Sequence, residues 1–290
     1  MHHRSPTRRE FIRQAAAFAG VAGVTPRLLA QSQAKRTATD QVTLGGTGIK
    51  LSRLGMGTGS NNGHVQVALG RDGFNTLIRY GYDRGLTYLD CAQSYATFTW
   101  IADAIAPLPR EKLFILSKIG GRSDDILKVI DSHRKNFKTD YLDALLIHCM
   151  TRELWTDEWK RIMDGFDVAR QRGWIRSKGV SCHTLEALQA GVESDWPEVH
   201  LVRVNPQGVH TDGQRGDIKP VLAELKKMKA KNRGVLGMKI IGNGDFRNPA
   251  DRERSIRFAM SLPEVDAITI GFKSPAEIDE AIERMNRALE

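Results

Sequence analysis

Four ionisable side chains lie at or just beyond the ends of apolar segments. Asp90 ends one apolar segment, and the phenol of Tyr95 follows it five residues later. Lys118 ends the next apolar run, and His148 ends the third. The strands of a parallel barrel all end at one face, where side chains distant in sequence become neighbours. A phenol whose pKa is lowered by a nearby ammonium is a proton donor, so these residues predict a proton-transfer site.

Each of these residues has an ordinary structural explanation when it is taken alone. An aspartate caps loops, a lysine is commonly solvated, and a histidine can be a hydrogen-bonded core residue. An ionisable group at the end of an apolar strand is costly unless it has a partner. Their shared position on consecutive strands favours one site over four unrelated residues.

Short apolar strands alternate with amphipathic helices from residue 53 onward, a pattern that indicates βαβ units and a parallel sheet. The predicted strands are Arg53–Gly59, Thr87–Asp90, Leu113–Lys118, Ala144–His148, Ser177–Ser181, Val199–Asn205, Val235–Ile240 and Ala267–Ile270. Residues 42–52 alternate around a Gly-rich turn and predict a hairpin that closes the barrel floor. The predicted fold is therefore an α/β (β/α)8 TIM barrel with an N-terminal β-hairpin. The alternative, an open doubly wound sheet, requires a Gly-rich phosphate loop that residues 55–59 do not match.

Asp90, Tyr95, Lys118 and His148, in this order on successive strands, resemble the catalytic tetrad of the aldo-keto reductases. Residues 44–58 are similar to the opening segment of that family. The resemblance implies reduction of an aldehyde or ketone by hydride transfer, or the reverse oxidation of an alcohol. It implies Tyr95 as the general acid, Lys118 as the group that tunes it, and Asp90 as the group that orients Lys118. It also implies His148 as the group that binds the carbonyl oxygen.

The resemblance further implies NADP(H) as cofactor, with NAD(H) as the alternative. Ser181-Cys182 matches a segment that holds the nicotinamide carboxamide, with Cys182 in place of an asparagine, and a thiol donates only weakly. Met238 replaces the aromatic residue that stacks on the nicotinamide, and Lys239 is expected to face the pyrophosphate. Lys273-Ser274 resembles the pair that takes the adenosine 2'-phosphate, although Ser274 also fits an ordinary helix cap. The complete predicted cofactor set is Gly57, Thr58, Ser181, Cys182, Met238, Lys239, Gly242, Gly244, Lys273 and Ser274.

Residues 1–34 have the pattern of a twin-arginine export signal. Arg8-Arg9 precedes a small apolar run at residues 15–24, which is too short for the roughly 20 residues of a membrane span, and cleavage sites end at Ala30 or Ala34. We predict a signal at 1–34, a linker at 35–41 and a barrel at 42–290. Removal of 34 of the 290 residues leaves 256, close to the roughly 250 of one such barrel. The predicted location is periplasmic or otherwise exported by the twin-arginine pathway, and the export machinery is a predicted partner.

The composition excludes several other classes of protein. The net charge of +9 falls to +5 without the leader, which carries five arginines and one glutamate, so the charge gives no reason to infer a nucleic-acid partner. Beyond the leader the sequence has no stretch long and apolar enough for a stable membrane span. The three cysteines fit neither a disulfide framework nor a metal site, and no metal is predicted.

Two functions stay open from the residues alone. The first is a reductase of a small carbonyl or sugar substrate. The second is an exported barrel that binds a ligand without redox turnover. A metal-dependent hydrolase would require a cluster of histidines and carboxylates at the strand ends, which the sequence lacks.

We predict that replacing Arg8 and Arg9 with lysine leaves the precursor in the cytoplasm. Lysine keeps the charge but lacks the planar guanidinium group, and we expect the export receptor to require the paired guanidinium groups. Cell fractionation of both forms is the measurement. Normal export of the lysine variant would show that another pathway is used.

Overall fold

A two-stranded hairpin precedes the barrel. The computed structural model describes residues 35–213 and 216–290, so the predicted signal at 1–34 lies outside the described residues. Strand β1 (Gln41–Thr43) pairs antiparallel with β2 (Lys50–Ser52). Leu44, Ile49 and Leu51 are buried against the residues that fill the barrel interior. The hairpin therefore closes one end of the barrel, as predicted.

Eight parallel strands form the closed barrel, and the predicted TIM-barrel fold is confirmed. They are β3 (Leu54–Gly57), β4 (Tyr88–Asp90), β5 (Phe114–Ile119), β6 (Ala144–Met150), β7 (Lys178–Cys182), β8 (Val199–Arg203), β9 (Gly234–Met238) and β10 (Ala267–Gly271). Neighbours around the barrel follow the chain order, and β10 closes it by pairing with β3. Every strand therefore ends at the same face.

Helices surround the strands. They are α1 (His64–Val67), α2 (Gly70–Asp83), α3 (Ile101–Ile105), α4 (Ile126–Phe137), α5 (Trp155–Glu158), α6 (Lys160–Gln171), α7 (Leu185–Glu193), α8 (Lys219–Ala230), α9 (Pro249–Met260) and α10 (Pro275–Leu289). Asp125 caps α4 by accepting a hydrogen bond from the Lys128 N–H. Of the helices in residues 35–213 and 216–290, none is both long and apolar enough to cross a membrane.

The alternation of side chains along each strand divides the buried residues into two layers. On β8, Val199 and Leu201 belong to the cluster that fills the barrel interior, whereas Val202 packs in the layer between strands and helices. His200 is fully buried, and its imidazole lies beside Gly191 of α7. Neither ring nitrogen of His200 has a hydrogen-bond partner among the described residues.

We predict that His200 makes the barrel less stable in acid. Burial lowers the pKa of His200 from 6.5 to about 3, so between these values the unfolded chain takes up a proton that the folded chain does not. Above pH 6.5 this difference in proton uptake has no effect on stability. Below pH 6.5 the free energy of unfolding falls by about 1.4 kcal/mol per pH unit for one such group. Urea unfolding of His200→Leu from pH 6 to pH 4 should show a correspondingly smaller slope than the wild type. Equal slopes would contradict this account.

Candidate active site

A buried ion pair joins the ends of β4 and β5. The Lys118 ammonium donates to an Asp90 carboxylate oxygen and to the carbonyl oxygen of Cys91 at 2.9 Å. Its third partner is the hydroxyl of Tyr95 at 3.2 Å. The side chains of Lys118 and Asp90 are 1% and 6% exposed. Burial acts to lower the pKa of Lys118, but the charge and hydrogen-bond interactions with Asp90 and Tyr95 together outweigh it and hold that pKa above its ordinary value, so the ammonium stays charged.

Tyr95 lies in the loop after β4, with its hydroxyl at the ammonium. Burial raises the pKa of the Tyr95 phenol above its ordinary value, although Lys118 acts to lower it. The ammonium therefore shifts the pKa of Tyr95 in the predicted direction, but the opposite effect of burial is larger. The Tyr95 ring also packs on Gly59, where a Cβ atom would come within 2.2 Å of it. The phenol is thus fixed in position and protonated near neutral pH.

His148 faces Tyr95 across the end of the barrel. Their ring centroids are 5.8 Å apart in an edge-to-face arrangement. The pairing of β6 with β7 is irregular between Ile147 and Met150, and Cys149 there has φ of 63°. Burial, with a smaller contribution from Lys118, lowers the pKa of His148 to about 3, so the imidazole is neutral. Within the described part of the chain, neither ring nitrogen of His148 is engaged in a hydrogen bond.

The predicted tetrad opens into a cavity of about 790 Å³. Tyr95, Lys118 and His148 lie on its wall, and Asp90 lies behind Lys118. Lining residues that sequence reasoning missed include Arg122, Arg152, Trp155, Glu158, Trp159 and His183. All six follow a strand that ends at this face, and that position is the signal that could have identified them.

Two smaller cavities continue from the first. One of about 280 Å³ shares Tyr95, Met238 and Lys239 with it, and another of about 340 Å³ follows beside Lys273. Of the predicted cofactor residues, those on the walls are Gly57, Met238, Lys239, Gly244 and Lys273. The Thr269 hydroxyl, which the sequence did not suggest, faces the 280 Å³ cavity and is buried without a partner among the described residues.

The other five predicted cofactor residues lie off these walls. Cys182 points outward into the strand-helix layer, where its thiol donates to the carbonyl oxygen of Ala187, because it alternates with inward-facing Ser181. Ser181 accepts the backbone N–H of Cys149. Gly242 is covered by the ring of Phe246.

Thr58 and Ser274 have local partners instead. The Thr58 hydroxyl donates to the carbonyl oxygen of Asp90, which ties β3 to β4. Ser274 accepts the backbone N–H of Glu277, so its alternative role as the cap of α10 is confirmed. The structure therefore does not bring these two hydroxyls to the cavity wall.

Both predicted phosphate-binding lysines already have partners. Lys239 has φ of 60° and donates to the Asn243 side chain at 2.9 Å, and burial together with Arg203 lowers its pKa. The Lys273 ammonium is 3.7 Å from Glu277, and its side chain is 66% exposed. In residues 35–213 and 216–290, no three His, Cys, Asp or Glu side chains are grouped as metal ligands.

Comparison with known proteins gives both sequence and structural likeness. An aldo-keto reductase of Mycobacterium avium (strain 104) is 31% identical over 132 residues, 43% of this chain and 46% of that protein. The NADPH-dependent codeinone reductase 1-5 of Papaver somniferum is 28% identical over 188 residues, 55% of this chain and 56% of that protein. The chain thus spans about half the length of the curated relatives it matches.

A solved structure has the same fold at low sequence identity. The holo form of an aldo-keto reductase from Bacillus halodurans aligns with a TM-score of 0.71 and 14% identity, over 86% of this chain and 95% of that one. The model of the aldo/keto reductase family matches residues 53–255, which include all four residues of the predicted tetrad. The chain therefore belongs to the aldo/keto reductase family.

Proposed function

We propose that this barrel reduces an aldehyde or ketone with NADPH or NADH as the hydride source. The observation that carries the proposal is the placement of Tyr95. Its hydroxyl is 3.2 Å from the Lys118 ammonium, and the residue lines both the 790 Å³ cavity and the 280 Å³ cavity. The Tyr95 hydroxyl, a proton donor, therefore lies where the 790 Å³ cavity meets the 280 Å³ cavity.

The side chains at this junction match the needs of carbonyl reduction. Negative charge develops on the carbonyl oxygen, so a proton donor and a hydrogen-bond donor are required there. Tyr95 is protonated and can give its proton to that oxygen, while the Lys118 ammonium stabilises the phenolate that is left. His148 is neutral and has an N–H available for a second hydrogen bond. Asp90 keeps Lys118 charged and in place.

The smaller cavities fit a dinucleotide. Gly57 and Gly271 line the 280 Å³ cavity, and a Cβ at Gly271 would come within 1.9 Å of the Ser60 hydroxyl, so a larger residue does not fit there. The unpartnered Thr269 hydroxyl can bond a polar ligand group there. Lys239 and Lys273 would hold phosphates by charge-assisted hydrogen bonds. The bound dinucleotide supplies the hydride.

We propose that the phosphate end of the cofactor contributes more to affinity than the nicotinamide end. Asn205, which follows β8, already donates to the carbonyl oxygens of Val209 and Lys239. Ser181 is occupied by the Cys149 N–H, and Cys182 faces away. Few polar groups are therefore free to hold a carboxamide.

We also propose that the protein is exported as a twin-arginine substrate and acts in the periplasm. The support is the sequence of Arg8-Arg9 followed by the short apolar run at residues 15–24. Because this pathway carries folded proteins, a cofactor bound in the cytoplasm would travel with the barrel.

We predict that Tyr95→Phe lowers kcat for carbonyl reduction by about 10² to 10⁴, because it removes the proton donor and little volume. Affinity for the cofactor should change little, which fluorescence titration can measure. Tyr80→Phe is a matched control, since the Tyr80 hydroxyl bonds Asp279 away from the cavities. Wild-type kcat in Tyr95→Phe would refute the proposed function.

We predict that Lys273→Ala weakens NADP(H) more than NAD(H), by about 0.5 to 1 kcal/mol. The effect is modest because Lys273 is largely exposed and pairs with Glu277. Glu277→Gln should shift the preference the opposite way, since it removes a carboxylate near the expected 2'-phosphate. Calorimetric titration of both variants with both cofactors is the measurement. Equal losses for the two cofactors in Lys273→Ala would exclude a 2'-phosphate contact.

A further inference from the structure

Two arginines from different loops meet at one carboxylate on the wall of the 790 Å³ cavity. Arg122 follows β5, and Arg152 follows β6. Their guanidinium groups lie 3.3 and 2.7 Å from the two carboxylate oxygens of Glu158, at the end of α5. Glu158 therefore holds both arginines at one place on the cavity wall.

Arg122 and Arg152 together carry more positive charge than Glu158 can neutralise. One carboxylate neutralises only one of the two guanidinium groups, which leaves a local charge of about +1. A guanidinium has five N–H donors, and each arginine contacts Glu158 through its Nη2 atom. Their side chains are 56% and 68% exposed, so the other donors can reach a ligand. A planar monoanion such as a carboxylate matches both the charge and the fork geometry.

The wall of the same cavity also carries two tryptophans and the side chains of Tyr95 and His148. Trp155 and Trp159 line the cavity but are nearly fully buried, and Arg122 lies 5.7 Å from the ring of Trp159. The part of each ring that reaches the cavity is apolar and can contact the body of a ligand. The positive charge of Lys118 is balanced by Asp90. The arginines therefore form an anion-binding position distinct from the carbonyl position at Tyr95 and His148.

We propose that the substrate carries a carboxylate, which Arg122 and Arg152 bind while its carbonyl group lies at Tyr95 and His148. This inference rests on the proposed reductase function and names its substrate class.

The test compares two aldehydes of equal size, 4-carboxybenzaldehyde and 4-formylbenzamide, which differ in charge. We expect wild-type kcat/KM to favour the acid roughly fivefold to tenfold, as suits exposed ion pairs. This preference should fall towards one in Arg122→Gln/Arg152→Gln and should weaken as ionic strength rises. Arg257→Gln is the matched control, because Arg257 is 58% exposed, pairs with Glu253 at 3.0 Å and lies away from the cavity.

A preference near one in the wild type, or one that persists in the double variant, would overturn the carboxylate assignment. Stronger reduction of 4-formylphenyl phosphate than of the acid would overturn it too. Failure to reduce any of the aldehydes would refute the reductase function separately. In that case calorimetric binding of 4-(hydroxymethyl)benzoate against its amide, to wild type and double variant with NADP⁺ present, still decides the anion site.

Discussion

The buried pair of Lys118 and Asp90 is the interaction on which the geometry of the site depends. Removing two charges from water is costly, and the cost is offset only when each charge has close partners. Lys118 has three such partners, the Asp90 carboxylate, the Cys91 carbonyl oxygen and the Tyr95 hydroxyl. Loss of either charged residue would leave the other buried and unpaired. The pair therefore requires β4 and β5 to be in register, and that register sets the position of Tyr95.

Backbone irregularity at the ends of β6 and β9 is the second feature of the site. Cys149 and Lys239 both have positive φ, which is uncommon for residues with a Cβ atom, and both line the large cavity. The pairing of β6 with β7 is also irregular at Cys149, and such irregularities commonly redirect side chains beside active sites. Here His148 and Cys149 are adjacent in sequence and both face the cavity. The same turn places the Cys149 N–H on Ser181, which engages a hydroxyl expected to hold the cofactor.

Electrostatics divide the site into regions of different character. Burial keeps His148 and His183 neutral, with pKa values lowered to about 3, so neither adds positive charge to the cavity. The positive charge of Lys118 acts on the Tyr95 phenol. The cations that can face a ligand include Arg122 and Arg152, which share the single charge of Glu158, together with Lys239 and Lys273 on the walls of the smaller cavities. The proposed phosphate and carboxylate positions follow from this division.

The sequence by itself determined the barrel and the convergence of three ionisable residues on one of its faces, because both depend on order along the chain. Alternating apolar strands and amphipathic helices permit few topologies, and strand ends in a parallel barrel converge on one face whatever the loops contain. Asp90, Lys118 and His148 could therefore be identified as neighbours from their positions at the ends of predicted strands.

Only the tertiary structure decided which side chains reach the cavities. Cys182 was assigned to the cofactor by its place in a motif, but the alternation along β7 turns it towards α7. The roles of Arg122 and Arg152 depend on Glu158, which is in contact with both although it lies 36 residues from the first and six from the second. No local sequence pattern encodes the contact of Glu158 with these two arginines. It arises from loop conformations that depend on packing between distant elements, and for this reason the sequence predicted the site but not the positions of its ligand-binding groups.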